Sequence, residues 1–254
     1  EKLQTYLHLS TGNYNHSTAR LYTDLGLFTA NDEFGIDAIH LFNYLTGYSH
    51  HKDWNHFIVA PINLRQRIIE LINRETDLHT PENPGMIWAK MNSIAHGEVS
   101  KALYRASQKG VKIKLLCRGI CCIKPGLKGI SENIEVRSIL GRFLEHSRIF
   151  LFNNGGNKEL FLSSADWMSR NLHNRVELMF PIYDKSIQKM LIEFLDIYWN
   201  DNKKAWLMLP DGSYQKIKPN NGEAAFSAQE YFLSESQKFR KKTKHKLVHH
   251  TKHG

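Results

Sequence analysis

The sequence is poor in what several fold and function classes require. Its 254 residues hold three cysteines, Cys117, Cys121 and Cys122, all in one segment. That excludes a disulfide framework and fits a reducing, cytoplasmic compartment. No apolar run is long enough to cross a membrane, and the first residues lack the charged and apolar regions of a secretory signal. The Walker phrase is absent, which excludes an ordinary P-loop. The C-x3-C-C spacing offers three thiols, two of them adjacent, so small buried hydrophobes describe these cysteines better than zinc ligands do. Acidic residues are missing from Lys238 to Gly254, where seven Lys/Arg stand, and removing these from the formal charge of +9 leaves +2 for residues 1–237. The folded part is thus near neutral, and no specific nucleic-acid partner is expected. The basic tail, 236–254, reads as a disordered appendage that holds polyanions weakly. Its histidines, His245, His249, His250 and His253, match no structural metal spacing.

What the chain does contain is a repeated phrase. Leu7-His8-Leu9-Ser10-Thr11-Gly12-Asn13-Tyr14 aligns with Leu160-Phe161-Leu162-Ser163-Ser164-Ala165-Asp166-Trp167 as L-x-L-S-[ST]-[GA]-[ND]-[YW]. Each copy is an alternating strand running into a turn of small polar residues. Two copies of one supersecondary unit are implied. The second copy follows a full strand-containing unit and the first follows only six residues, so the chain is expected to begin inside its first repeat.

Periodicity supplies an α/β reading. A strand over 3–9 precedes a helix capped by Asp32 and running to about Leu45, with Ile36, Ile39, Leu41, Phe42 and Leu45 inward. The polar stretch Tyr48 to Asn55 reads as a linker. Strands are expected at 56–60, 86–91, 111–117, 134–140, 147–152, 159–163 and 176–182. Helices are expected from an Asn63 cap, with Ile68, Ile69, Leu71 and Ile72 buried, and at 98–109, ending on Gly110. The last expected helix, 185–200, has Ile187, Met190, Leu191, Phe194, Leu195 and Tyr198 inward. Such an order implies a mixed sheet with helices on its faces. Asn153-Asn154-Gly155-Gly156 signals a hairpin. A two-residue Asn154-Gly155 turn makes paired positions sum to 309 and sets His146 opposite Ser163, and a longer loop shifts this by a residue or so.

Chemistry gathers around that hairpin. His146, beside Ser163, Ser164 and Asp166 and flanked by Arg142 and Arg148, joins a neutral-pH proton carrier to groups that suit phosphate oxygens. Arg118 ends an apolar strand and opens a glycine-bearing loop with Lys124 and Lys128, where parallel sheets bind ligands. Tyr22, with Arg20 and Asp24 close to the first copy of the phrase, should face the same cleft if the repeats pack as pseudo-symmetric partners.

Five phrases then carry a resemblance: residues 8–14, Thr18 to Asp24, Cys117 to Cys122, Phe143 to Arg148 and Ser163 to Met168. Together, and in this order, they resemble the bacterial polyphosphate kinase family, with similarity running on from Asn200 to about Gln229 and stopping before the tail. The resemblance implies a phospholipase D-like mixed sheet flanked by helices. It divides the chain into the end of the family's third domain (1–50), the whole fourth domain (51–235) and the tail. The implied reaction is reversible transfer of the ATP γ-phosphate to polyphosphate through a phosphohistidine, with Mg2+ entering with ATP. That histidine belongs to an H-x-K motif whose position lies upstream of Glu1, as do the family's magnesium-associated arginines. This chain alone is therefore expected to be inactive and to hold no metal. Tyr22, Arg118 and His146 match the family's ATP-contacting tyrosine, arginine and second essential histidine. The implied partners are ATP, ADP, polyphosphate and further copies of the full-length enzyme, in the cytoplasm or peripherally at the inner membrane. Two alternatives remain open on the residues alone. One is a phospholipase D-like diesterase or nuclease, against which Arg148 replaces the expected lysine. The other is a polyanion-binding module acting through the tail.

Overall fold

The most apolar segments of the sequence meet at the centre of one sheet in the computed structural model, which describes residues 4–48 and 53–238. The N-terminal part holds β1 (Leu7–Ser10), β2 (Tyr22–Thr23), β3 (Gly26–Thr29) and α1 (Asp32–Leu45). Next come β4 (Ile58–Ala60), α2 (Leu64–Leu78), β5 (Met86–Met91), β6 (Ile94–Ala95), α3 (Gly97–Gln108) and β7 (Lys112–Cys117). β8 (Ile134–Ile139), β9 (Leu144–Glu145), β10 (Arg148–Phe152), β11 (Glu159–Ser163), β12 (Trp167–Met168) and α4 (Ser169–Asn174) follow. β13 (Glu177–Pro181), α5 (Lys185–Trp199), β14 (Ala205–Met208) and β15 (Tyr214–Lys216) complete the named elements. Residues 228–238 are helical. The basic tail from residue 239 and linker residues 49–52 lie outside the described residues.

Nine strands form one mixed sheet in the order β15-β14-β8-β7-β5-β10-β11-β13-β4. β7 runs parallel to β5 and β8, and the other pairings are antiparallel. The strand period of two divides the core between the sheet's two faces. Phe150 and Phe152 point to α2 and α3 with Ile87, Ala89 and Ile113. Ile149 and Leu151 point the other way with Trp88, to Leu191 and Leu195 of α5. Leu9, Phe34 and Ala38 of the N-terminal part belong to that second core layer. This is the expected mixed sheet with helices on its faces. Among the described residues no helix is long and apolar enough to cross a membrane.

Three local expectations change. The hairpin turn is wider than two residues, because Asn154–Gly156 forms a 3-10 turn with positive φ at Asn154, Gly155 and Gly156. The buried Glu75 carboxylate takes the N–H of both Asn154 and Met86, holding this loop against α2. Arg148, not His146, therefore lies opposite Ser163. The Asn63 side chain does not cap α2 and accepts from Val59 N–H instead, and Met190 of α5 is exposed.

The reading of α1 changes as well. Asn31 rather than Asp32 caps it, accepting from Phe34 N–H at 2.9 Å. Ile36, Ile39, Phe42 and Leu45 are exposed, while Phe34, Asp37 and Ala38 face inward. Asp37 turns the helix this way. Its carboxylate, 1% exposed, accepts three consecutive backbone N–H groups, from Asn55 (2.9 Å), His56 (2.7 Å) and Phe57 (2.9 Å). That clasp fixes α1 to the residues that lead into β4 and outweighs the apolar edge left in water. Replacing Asp37 by Ala strands three donors at the joint. Urea unfolding of Asp37→Ala should show a loss of about 2–4 kcal/mol, the range for buried groups left without their charged partner.

Candidate active site

The two copies of the repeated phrase make the same hydrogen bonds. In the first, Ser10 Oγ accepts from Gly12 N–H, and Thr11 Oγ1 accepts from Leu25 N–H while donating to Asp24. In the second, Ser163 Oγ accepts from Ala165 N–H, and Ser164 Oγ accepts from Leu178 N–H while donating to Glu177. The small hydroxyl residues thus stitch each turn to a following strand and aim one carboxylate, Asp24 or Glu177. The motif's chemistry is structural first. Ser163 is fully buried and its hydroxyl donates to Leu178 O.

His146 is brought to the first carboxylate by parallel pairing of β2 with β9, Tyr22 opposite Leu144 and Thr23 opposite Glu145. Its Nδ1 lies 2.9 Å from both Asp24 carboxylate oxygens. A carboxylate on Nδ1 holds the ring proton there and leaves Nε2 as the basic nitrogen. The Tyr22 ring lies against the imidazole, centroid to centroid 4.6 Å. Burial pushes the Asp24 carboxyl up. The hydrogen bond and charge of His146, with Thr11 and Arg148, outweigh this and leave it below the ordinary value.

Arg148 is a structural fork rather than a free phosphate ligand. Nε and Nη2 reach the two Asp166 oxygens at 3.1 and 3.0 Å, and Nη1 donates to Thr11 O at 3.0 Å. Nη1 also sits 3.0 Å from His146 Nε2, presenting charge beside that nitrogen. Asp166 is equally committed, accepting from the backbone N–H of Asn92 and Ser93. Next to it, Lys90 and Glu145 form a buried ion pair at 3.1 Å. Thr23 and Gln229 also donate to Glu145, and Lys90 donates to Ser147 Oγ. Burial pushes the Lys90 ammonium down, and Glu145 opposes this. A satisfied network of this kind locks the backbone on either side of His146.

These groups open on a polar cavity of about 330 Å³ lined by His146, Arg148, Ser164, Asp166, Glu177 and Asn92, with Arg170 and Arg175 at its mouth. Arg118 is not among the residues that line it and stands instead on a small separate cavity beside Lys90, Cys117 and Glu145. Its Nη2 contacts Asn92 Oδ1, and its Nε is buried without a hydrogen-bond partner. Tyr22 and Arg20 line a neighbouring cavity of about 340 Å³. Arg142 lies outside both, exposed, over the Phe143 ring. The structure thus gathers His146, Tyr22, Arg148, Ser164 and Asp166, leaves Arg118 outside the cavity lining with only its contact to Asn92 joining it to the site, and does not bring Arg20 or Arg142 to the imidazole. Sequence reasoning missed Glu177, Lys90, Arg170 and Asn92. Glu177 had a signal, since it follows the second turn as Asp24 follows the first. Among the described residues no group of three or more His, Cys, Asp or Glu is arranged to hold a metal ion.

Known proteins match the segments that carry these residues. Residues 57–229 match the family model for polyphosphate kinase C-terminal domain 2, and residues 1–51 match that for C-terminal domain 1. The chain belongs to the polyphosphate kinase family. It is 48% identical over 234 residues to polyphosphate kinase from Synechocystis, covering 92% of this chain and 32% of that protein. Identity to the Thermosynechococcus vestitus polyphosphate kinase is 50% over 223 residues, covering 88% of this chain and 30% of that protein. The crystal structure of polyphosphate kinase from Porphyromonas gingivalis superposes with a TM-score of 0.87 and 38% identity, over 93% of this chain and 37% of that one. The chain thus spans about a third of the length of the curated relatives it matches.

Asp24 gives this site a testable pH signature. A carboxyl held below its ordinary 3.8 in the folded state stabilises fully above that value, and the contribution is lost as pH falls through the lowered one. Asp24→Asn should remove that part of the acid destabilisation, seen as a flatter loss of thermal stability below about pH 4. In the same variant, imidazole 15N spectra at neutral pH should show His146 leaving its single Nδ1–H form for a tautomer mixture. Unchanged spectra would refute the orienting role.

Proposed function

We propose that this chain forms one side of the site at which a polyphosphate kinase moves the γ-phosphoryl group between ATP and polyphosphate. The observation that carries this reading is the pair of equivalently placed carboxylates on either side of His146. Asp24 meets the His146 imidazole, and Glu177, held by Ser164, Asn171 and Arg175, lines the cavity where a second imidazole would stand. In this reading the family's phospho-accepting histidine is that second imidazole, with Glu177 on its far nitrogen. Phosphoryl transfer through an imidazole asks the protein chiefly for alignment and for positive charge around the moving oxygens. His146 Nε2 faces the transferring group as proton carrier and hydrogen-bond partner. Arg148 keeps a fixed positive charge beside it while staying tied to Asp166. Arg118, joined to the cavity lining through Asn92, takes β/γ oxygens, and Tyr22 offers its hydroxyl. Magnesium belongs to the substrate, as the Mg–ATP complex.

Binding separates this reading from its competitors. Calorimetric titration of the chain with tripolyphosphate and with Mg–ATP should show both ligands bound. His146→Ala and Arg118→Ala should each weaken binding by at least about tenfold, the loss of one charge-assisted contact of roughly 1.4 kcal/mol. Removing residues 239–254 should leave the affinity nearly unchanged, and if it abolished binding the cavity would be irrelevant. Hydrolysis of bis-p-nitrophenyl phosphate, lost in His146→Ala, would replace the reading with a diesterase.

A further inference from the structure

We propose that Gln229 is a positioning residue for His146, through which the helix over 228–238 sets the imidazole against Asp24. That the imidazole so placed serves phosphate rests on the function proposed above, and the placement itself does not. The strand leading to His146 is too short to hold itself. β9 has two residues and pairs along one edge with β2. Leu144 N–H donates to Leu21 O at 2.9 Å, and Ser147 N–H to Thr23 O at 2.9 Å. Successive residues of a strand turn their N–H and C=O groups to opposite edges, so those of Phe143 face away from β2. There they meet a side chain instead of a strand. Gln229 Nε2 donates to Phe143 O at 2.8 Å, and Phe143 N–H donates to Gln229 Oε1 at 3.1 Å. A primary amide carries its donor and its acceptor on separate atoms of one plane, as a peptide group does. Gln229 thus stands in for a second strand beside β9. Its Nε2 also donates to Glu145 Oε1 at 2.8 Å, fixing the carboxylate that pairs with Lys90.

The amide is held where it stands. Gln229 is buried, and a Cβ on Gly141 would overlap its Oε1 and lie 2.9 Å from its Cδ. Glycine at 141 is what lets the amide lie this close to the backbone leading into β9. The helix is seated as firmly. One oxygen of the fully buried Asp201 carboxylate accepts Ala228 N–H at 2.8 Å. The other accepts the N–H groups of Lys203, Lys204 and Ala205 where β14 begins. Phe232 packs on Phe194 and Tyr198 of α5, each at 5.0 Å between ring centroids. The helix is thereby tied to the main sheet at its first turn and along its length, and Gln229 carries that fixed frame to β9. Pairing of β9 with β2 is what brings Asp24 to His146 Nδ1. An amide that holds the far edge of β9 therefore sets the imidazole without touching it.

Imidazole 15N spectra and amide hydrogen exchange of the whole chain at neutral pH test the placement. Gln229→Glu keeps the shape of the side chain, but its carboxylate cannot donate to Phe143 O and stands beside that of Glu145. In this variant and in Gln229→Ala, His146 is expected to leave its single Nδ1–H form. The Leu144 and Ser147 amides should exchange about tenfold faster, the scale of a lost buried hydrogen bond in local opening. A residue that only stabilises the fold would lower the melting temperature and leave the His146 spectrum as it is, and that outcome overturns the proposal. Gly141→Ala should reproduce the spectral change by displacing the amide. It should add nothing in a Gln229→Ala background, where no amide remains to be displaced, and additive effects overturn the proposal as well. Tripolyphosphate affinity should fall about tenfold in Gln229→Glu and in Gly141→Ala, the size of one charge-assisted contact. A changed spectrum with unchanged affinity overturns the part in phosphate binding alone. If the wild-type chain binds no tripolyphosphate, the phosphate site itself fails, while the spectra still decide the placement.

Discussion

The buried contact of Arg148 with Asp166 holds both copies of the repeated phrase in one arrangement. Arg148 starts β10, and Asp166 comes from the second turn. A third guanidinium nitrogen reaches Thr11 O in the first turn and stands beside His146. One fixed, planar fork of donors thus touches every part of the centre. Two charges buried this deeply gain little net stability against an apolar pair of the same size. What they supply is geometry. A fork that must meet both carboxylate oxygens and a carbonyl accepts a single placement of the two turns.

Around that fork the protein spends further polar burial on the strand that carries His146. Lys90, Glu145, Gln229, Thr23 and Ser147 satisfy one another beneath it. Asp24 and Thr11 fix its ring from the side. The result is a preorganised imidazole with a charged neighbour, as phosphoryl transfer needs when the protein supplies alignment rather than bonds. The apolar core beneath the sheet is ordinary, and the specificity of the site lies in this satisfied polar layer above it.

Much of the fold was legible because strands with a buried face alternate visibly. Met86–Met91 and Glu159–Ser163 have the expected limits, and the helices expected at 98–109 and 185–200 deviate by one residue at their ends, whereas β3, α4, β14, β15 and the helix over 228–238 were not anticipated. The short pieces were not legible. β2, β6, β9 and β12 are two residues each, too brief for any period, yet β2 with β9 is what carries Asp24 to His146. The orientation of α1 was misread for a related reason. Counting apolar residues chose the side bearing Ile36, Ile39 and Phe42, whereas three backbone N–H groups converging on Asp37 chose the other.

By itself the sequence determined the family, the mixed sheet and the candidate histidine, because local patterns and five ordered phrases persist without any knowledge of contacts. It could not decide which acceptors each arginine meets. Arg20, Arg142, Arg148 and Arg118 all stand close to a motif along the chain. Only the tertiary structure sends Arg148 into Asp166, leaves Arg142 over Phe143 and sets Arg118 against Asn92 with a buried, unpartnered Nε. A guanidinium's role depends on the acceptors it meets, and those acceptors come from turns far away in the sequence.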